Sequence, residues 1–345
     1  MDLLPAGKNR AIVLVITAIA IAFCMLPATA VTITDDTGNV LSLDHTPVRI
    51  VSLSPANTEI LAALGLADRT VGITDVCNFP PEIRNKTRIG GYASVSIEKL
   101  AAMQPDLILA SDLTPEGTVR RLRDLGFPVV VIAPHGIDPL IQDIRRVGAL
   151  TGAEEPTENL SNRLLDRLVD ACSCGSITQD PTVAHVIWHD PLYVSGNNTL
   201  QDAAIVLGGG RNVFADRDGW ITASLEEFLA RDPEIIIVNG GDGMNRPGKD
   251  LIRETLMENP HYATLSAVKN NRVFVVDADI ISRPSPRIVD AIEQIARFFH
   301  PECYPEETRP PVPVSPVATS PGFAASEGCV LVILLVSISC WLWIT

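Results

Sequence analysis

Ser96-Ile97-Glu98-Lys99-Leu100-Ala101-Ala102-Met103-Gln104-Pro105-Asp106-Leu107-Ile108-Leu109 returns 128 residues later as Ser224-Leu225-Glu226-Glu227-Phe228-Leu229-Ala230-Arg231-Asp232-Pro233-Glu234-Ile235-Ile236-Ile237. Each copy opens with a serine placed to cap a short helix, closes it with a proline and an acid, and runs into an apolar strand. Ser224 and Glu227 have the form of a capping box. Two copies at this separation predict two lobes of related construction and not a solenoid of short units.

Around each copy, short β-rich runs alternate with helical patterns, the mark of α/β layering. Strands are predicted at residues 49–53, 107–110 and 129–132, with helices at 58–64 and 118–125. The second half gives strands at 183–188, 235–238 and 273–276 and a helix at 200–207. Between the halves, residues 139–150 and 157–172 carry apolar residues at helical spacing, among them Leu160, Leu164, Leu165 and Leu168. The expected fold is therefore α/β: one lobe over 31–138, a long helical connector over 139–175, a second lobe over 176–300. A ligand cleft is expected between the lobes. Ser54-Pro55-Ala56-Asn57 reads as a strand-to-helix loop at its rim, with Asn57 able to cap the helix.

The two ends of the chain differ from this body. Lys8 and Arg10 precede an apolar run over 11–26, and Ala28-Thr29-Ala30 offers a small-residue cleavage site, so 1–30 reads as a signal peptide. An uncleaved amino-terminal anchor is the other reading of that run. Cys24 lacks small residues before it and does not look like a lipid attachment site. Residues 301–322 are rich in proline and read as a stalk. Residues 323–345 are apolar, uncharged after Glu327 and include Trp341 and Trp343, as a membrane anchor or sorting segment would be. Export, body, stalk and anchor together place the body at the outer face of the cytoplasmic membrane. The formal net charge of −14 excludes nucleic acid as a partner, because its phosphates would be repelled.

Cys77, Cys172, Cys174 and Cys303 fall in the exported part, and four cysteines leave three pairings open. Asn85-Lys86-Thr87, Asn159-Leu160-Ser161 and Asn197-Asn198-Thr199 have the form of glycosylation acceptors. Zincin, phosphate-loop and nucleophile-elbow motifs are absent, and Gly208-Gly209-Gly210 has helix-ending character and not dinucleotide-binding spacing. No catalytic residue, metal ligand or catalytic cofactor is expected. His185 and His189 have helical spacing but lie in a predicted strand and its loop, so they are not expected to ligate haem iron together.

Arg49-Ile50-Val51-Ser52-Leu53-Ser54-Pro55-Ala56-Asn57-Thr58-Glu59 resembles the first strand, loop and helix of cobalamin- and siderophore-binding proteins of ABC importers. The likeness continues through Asn78-Phe79-Pro80-Pro81, both Ser-x-Glu helices, Ser195-Gly196, Asn212-Val213-Phe214 and Ser285-Pro286-Arg287. It spans about residues 32–300. The resemblance implies capture of a corrinoid such as cobalamin by a monomer, and its delivery to an ABC permease dimer with its ATPase subunits. A ferric siderophore or haem is the alternative cargo. By position it implies ligand contacts from Pro55, Ala56, Asn57, Phe79, Tyr92, Trp188 and Trp220, with Arg287 reaching polar groups of the ligand. Ser111 stands where the cobalamin relatives would have an aromatic. Glu98 and Glu226, one per repeat, are implied to dock on permease arginines; either would also be favoured in a helix's first turn by the helix dipole. Pro321-Gly322-Phe323 resembles an archaeal surface-sorting signal, although the chain ends Trp343-Ile344-Thr345 without the usual basic residues.

Overall fold

The computed structural model describes residues 30–91, 93–175, 180–241 and 250–304. The segments read as signal peptide and anchor, most of the stalk, and Tyr92 lie outside them. Thr32–Ser42 and Thr46–Pro313 form one compact unit; of the other unit, Met1–Val31, Leu43–His45 and Val314–Thr345, only residues 30–31 and 43–45 are described. No helix among the described residues is long and apolar enough to cross a membrane.

The first lobe is built on a parallel sheet in the order Thr87–Arg88, Thr70–Ile73, Ile50–Ser52, Leu107–Ala110, Val129–Val131. All four residues of Leu107–Ala110 are buried, as expected where helices cover both faces of a parallel sheet. The second lobe carries the order Trp220–Thr222, Leu192–Ser195, Thr182–His189, Ile235–Gly240, Val273–Asp277. Thr182–His189, Ile235–Gly240 and Val273–Asp277 run parallel, and Leu192–Ser195 pairs antiparallel with both of its neighbours. Phe228 and Phe214 stack at 6.0 Å in its core, and Phe228 meets Tyr262 edge-on at 6.3 Å.

The repeat acts in the same way in both lobes. Ser96 Oγ accepts the Lys99 N–H at 3.3 Å and Ser224 Oγ accepts the Glu227 N–H at 3.0 Å, starting helices Ile97–Ala102 and Leu225–Arg231. The acid after each proline does more than follow a helix end. Asp106 accepts the Val48 and Arg49 N–H groups at 2.8 and 2.7 Å, and Glu234 accepts the Thr182 N–H at 2.7 Å. Each carboxylate thus pins the start of a neighbouring central strand.

The connector is a pair of helices, Ile137–Thr151 and Glu154–Gly175, turned by Gly152 in the left-handed region at φ 63°. Arg69 of the first lobe donates to the Thr151 carbonyl at 2.7 Å. Arg167 of the longer helix bridges Asp290 and Glu293 on helix Ile288–Phe299 of the second lobe at 2.6 and 2.8 Å. The body also extends past residue 300. Pro301–Cys303 forms a 3-10 turn, Cys303 is disulfide-bonded, and Arg297 lies 5.6 Å from the Tyr304 ring centroid. These four residues, assigned to the stalk by their prolines, therefore belong to the body: one turn of proline-started 3-10 helix needs no core of its own when it lies against a packed helix. Cys77 and Cys172 are free thiols, so pairings that involve either fall away.

Buried within the connector, Asp143 contacts Arg146 at 2.6 Å, and Arg146 also holds Asp36 at 2.6 Å. Burial and the neighbouring Asp36 charge push the Asp143 carboxyl up to about 7, against the pull of Arg146. The folded protein keeps this proton where the unfolded chain, near 3.8, has lost it. Its contribution to stability is thus present below about pH 4 and is lost as pH rises toward 7. Urea unfolding of Asp143→Asn should show higher stability than wild type at pH 8, and a smaller decline between pH 5 and 8.

Candidate functional site

The first lobe meets the second through the helix after its first strand and through Asn78 and Phe79. Helix Pro55–Ala63 follows strand Ile50–Ser52, and Ser54 is its N-cap, with Ser54 Oγ accepting the Asn57 N–H at 3.2 Å. The expectation that Asn57 caps the helix is corrected. Pro55 occupies the first helical position, where its missing N–H costs nothing, so Pro55, Ala56 and Asn57 form a helical turn and not a loop. Asn57 is buried and donates through Nδ2 to the Ala110 carbonyl at 2.8 Å, tying the helix to the end of the neighbouring strand. Ala56 is buried and Pro55 half-buried.

One turn further on, Glu59 is 3% exposed and faces the second lobe. It accepts Arg283 Nη1 at 2.9 Å, Ser285 Oγ at 2.6 Å, and Arg287 through Nε at 2.8 Å and Nη2 at 2.6 Å. The forked Arg287 contact has the bidentate geometry that makes guanidinium–carboxylate pairs strong. Arg287 lies 3.9 Å above the Phe79 ring centroid, close enough for a cation–π contact. Burial opposes the Arg287 charge, but the bonds and charge of Glu59 outweigh it and its pKa is raised. Arg283 donates also to Asn78 Oδ1 at 2.8 Å and pairs with Asp279 at 2.7 Å, while Asn78 Nδ2 donates to Asp279 at 2.7 Å. Asn78, Phe79 and Glu59 come from one lobe; Asp279, Arg283, Ser285 and Arg287 come from the other.

Trp220 lies within reach of this junction through a short hydrogen-bonded line. Its Nε1 donates to Gln201 Oε1 at 3.1 Å, and Gln201 Nε2 donates to Ser282 Oγ at 3.2 Å, one residue before Arg283. The indole is 55% exposed and begins the edge strand Trp220–Thr222. Trp188 is half-buried against the second lobe's core, and its Nε1 donates to the Asp190 carbonyl at 2.8 Å. Glu98 and Glu226 are exposed in the first turns of the two repeat helices. Glu226 has no ion pair among the described residues, whereas neighbouring Glu227 pairs with Arg231 at 2.8 Å.

His185 and His189 are not brought together as ligands. His185 is fully buried, with Nδ1 2.7 Å from Ser195 Oγ and Nε2 2.9 Å from Asn239 Oδ1. Burial pushes its pKa down to about 4, so it is neutral at pH 7 with both nitrogens engaged.

Sequence reading missed Glu59, Asp279 and Arg283 as parts of the junction. A signal for Glu59 was present: it lies beside Ile60 and Leu61 in a helix that follows a strand, and a carboxylate buried there requires partners. Removing one side of such a buried pair costs about 3–5 kcal/mol because the partner charges stay behind. Glu59→Ala should accordingly cost about 3 kcal/mol or more in urea unfolding, and more than Arg283→Ala, which leaves the forked Arg287 contact in place.

Comparison with known proteins accounts for this architecture. Residues 50–280 match the family model described as periplasmic binding protein. The chain is 27% identical over 284 residues to an ABC transporter substrate-binding lipoprotein of Bacillus subtilis (strain 168), covering 80% of this chain and 87% of that protein. It is 27% identical over 265 residues to the vitamin B12-binding protein of Vibrio cholerae, covering 76% of this chain and 93% of that one. The crystal structure of the periplasmic vitamin B12-binding protein of that species superposes with a TM-score of 0.63 over 73% of this chain and 96% of its own. A periplasmic heme-binding protein from Roseiflexus sp. RS-1 in apo form, also 27% identical, gives a TM-score of 0.66 over 74% and 98%. With two α/β lobes, a helical connector and a family match over most of its length, the chain belongs to the periplasmic binding protein family and is a binding protein, not an enzyme.

Proposed function

We propose that this chain captures a corrinoid such as cobalamin outside the cytoplasm and delivers it, chemically unchanged, to the permease of an ABC importer. The observation that carries the reading is the indole of Trp220, open to solvent beside the only lobe junction seen among the described residues. A large aromatic ring left uncovered in a binding protein is suited to stack on a flat apolar ligand. The likeness to a vitamin B12-binding protein over 93% of that protein's length supports the same cargo.

Phe79, with Arg287 stacked on it, supplies further surface on the first lobe; in the sequence Tyr92 stands six residues before the helix-start glutamate of the first repeat, as Trp220 does in the second. Arg287 is committed to Glu59, so its part in binding is to hold Phe79 and the junction in place. Haem as cargo is less well served, because His185 has both nitrogens engaged. Glu98 and Glu226, exposed at equivalent places in the two lobes, dock the loaded protein on a two-fold permease. The amino-terminal segment directs export, and the apolar carboxy-terminal segment tethers the body to the membrane.

Calorimetric titration of the protein with cobalamin, haem and ferric siderophores tests the cargo, and binding of an iron complex alone would replace the corrinoid. Trp220→Ala should weaken cobalamin binding about fivefold or more, from loss of a stacked ring worth about 1 kcal/mol, with the melting temperature nearly unchanged. Glu98→Lys with Glu226→Lys should keep ligand affinity but lose stimulation of the importer's ATP hydrolysis, since like charges would then face the permease arginines. Wild-type stimulation by that double variant would remove the docking role.

A further inference from the structure

The segment from Thr74 to Phe79 leaves the carboxy-terminal end of strand Thr70–Ile73 and carries Asn78 and Phe79 to the lobe junction. It is neither helix nor strand, yet its carbonyls are held by guanidiniums. Arg88, half-buried on the edge strand Thr87–Arg88, donates through Nη1 to the Thr74 and Cys77 carbonyls at 2.7 and 2.6 Å. Arg84 donates through Nε to the Asn78 carbonyl at 3.1 Å. Among the described residues, the hydrogen bonds of Arg88 all go to backbone carbonyls. A planar guanidinium, with its donor directions fixed, sets carbonyl positions in a way that a flexible ammonium does not.

A second set of contacts holds the same segment from inside. Cys77 is a free thiol, 1% exposed, and its Sγ lies 3.1 Å from both Thr74 Oγ1 and Thr58 Oγ1. Thr58 precedes Glu59 on the junction helix; its Oγ1 lies 2.8 Å from Ser52 Oγ and 2.9 Å from the Ser54 carbonyl, which Ser52 Oγ also reaches at 2.9 Å. Ser52, Thr58 and Thr74 are all buried. Each hydroxyl or thiol has one hydrogen to give. Ser52 and Thr58 together must bond each other and the carbonyl, and in either order the Thr58 hydrogen is spent on one of those two. The thiol therefore donates to Thr58, and Thr74 donates to the thiol. One line of hydrogen bonds thus joins the Phe79 segment to the helix that carries Glu59.

We propose that Arg84, Arg88 and Cys77 are positioning residues for cargo binding, holding residues 74–79 so that Phe79 keeps its place under Arg287 and meets the ligand as a preformed surface. The inference rests on the corrinoid reading above, with Phe79 as part of the cargo surface. The three residues act through Phe79.

The test is calorimetric titration of the full chain with cobalamin, alongside urea unfolding, for Arg88→Lys, Arg84→Ala, Cys77→Ala and Cys77→Ser, each with Phe79 kept and with Phe79→Ala. Arg88→Lys keeps the charge but loses the hold on two carbonyls, and it and Cys77→Ala should each lower affinity about fivefold, Arg84→Ala about threefold. Cys77→Ser keeps a donor and an acceptor and should stay within about twofold of wild type. In the Phe79→Ala background the same substitutions should change affinity by less than about twofold, an outcome that general loosening of the lobe would not give. Arg84 is exposed, so its variant keeps the test decisive if Arg88→Lys or Cys77→Ala fails to fold. Wild-type affinity in the folded variants, or equal losses with and without Phe79, would overturn the positioning role alone, as would unchanged cobalamin binding by Phe79→Ala. Failure of the wild type to bind any corrinoid would overturn the cargo reading and this inference together.

Discussion

A single buried carboxylate ties the two lobes to each other. Glu59 sits one turn into the helix that follows the first strand, and it faces two guanidiniums and a hydroxyl from the opposite lobe. Transferring such charges out of water is costly, and the contact is tolerable only because both oxygens of Glu59 are bonded, each by one arm of the forked Arg287. The consequence is positional. Residues 277–287 must approach the first lobe closely, and Asn78 and Phe79 are drawn into the same contact.

That constraint also positions two aromatic rings. Phe79 is held beneath Arg287, and Trp220 is linked through Gln201 to Ser282, so the aromatic surface is set by the same network that joins the lobes. The connector adds to this stiffness. Its two helices are anchored at one end by Arg69 on the Thr151 carbonyl and at the other by Arg167 on Asp290 and Glu293. A brace of this kind, together with a salt-bridged junction, favours a preformed site over wide hinge closure; preorganisation of that sort lowers the ordering cost of binding.

The recurrence of the repeat explains why two lobes of different sheet topology still present equivalent features. A serine cap, a first-turn glutamate and an acid that pins the next strand are local devices, and they work wherever a helix leads into a parallel strand. The lobes diverge where local devices stop. The first sheet is wholly parallel, whereas the second gains the antiparallel strands Leu192–Ser195 and Trp220–Thr222 at its edge, and it is this edge that carries the open indole.

Much of the fold was legible in local pattern. The apolar runs at 107–110 and 235–238 are strands because a parallel sheet covered on both faces needs unbroken hydrophobicity, and helix Leu200–Leu207 follows from its own spacing and Thr199 cap. The duplicated motif named two lobes without any coordinates. What the sequence left undetermined depends on partners far along the chain. Ser54, not Asn57, caps the first helix, because Asn57 is needed by the carbonyl of Ala110 some fifty residues away. Arg287, read as a ligand contact, is engaged by Glu59 more than two hundred residues before it. Charge, burial and periodicity are properties of a segment and can be read from that segment. The choice of partner for a buried polar group is made only when two distant segments exclude water together, and no local pattern records it.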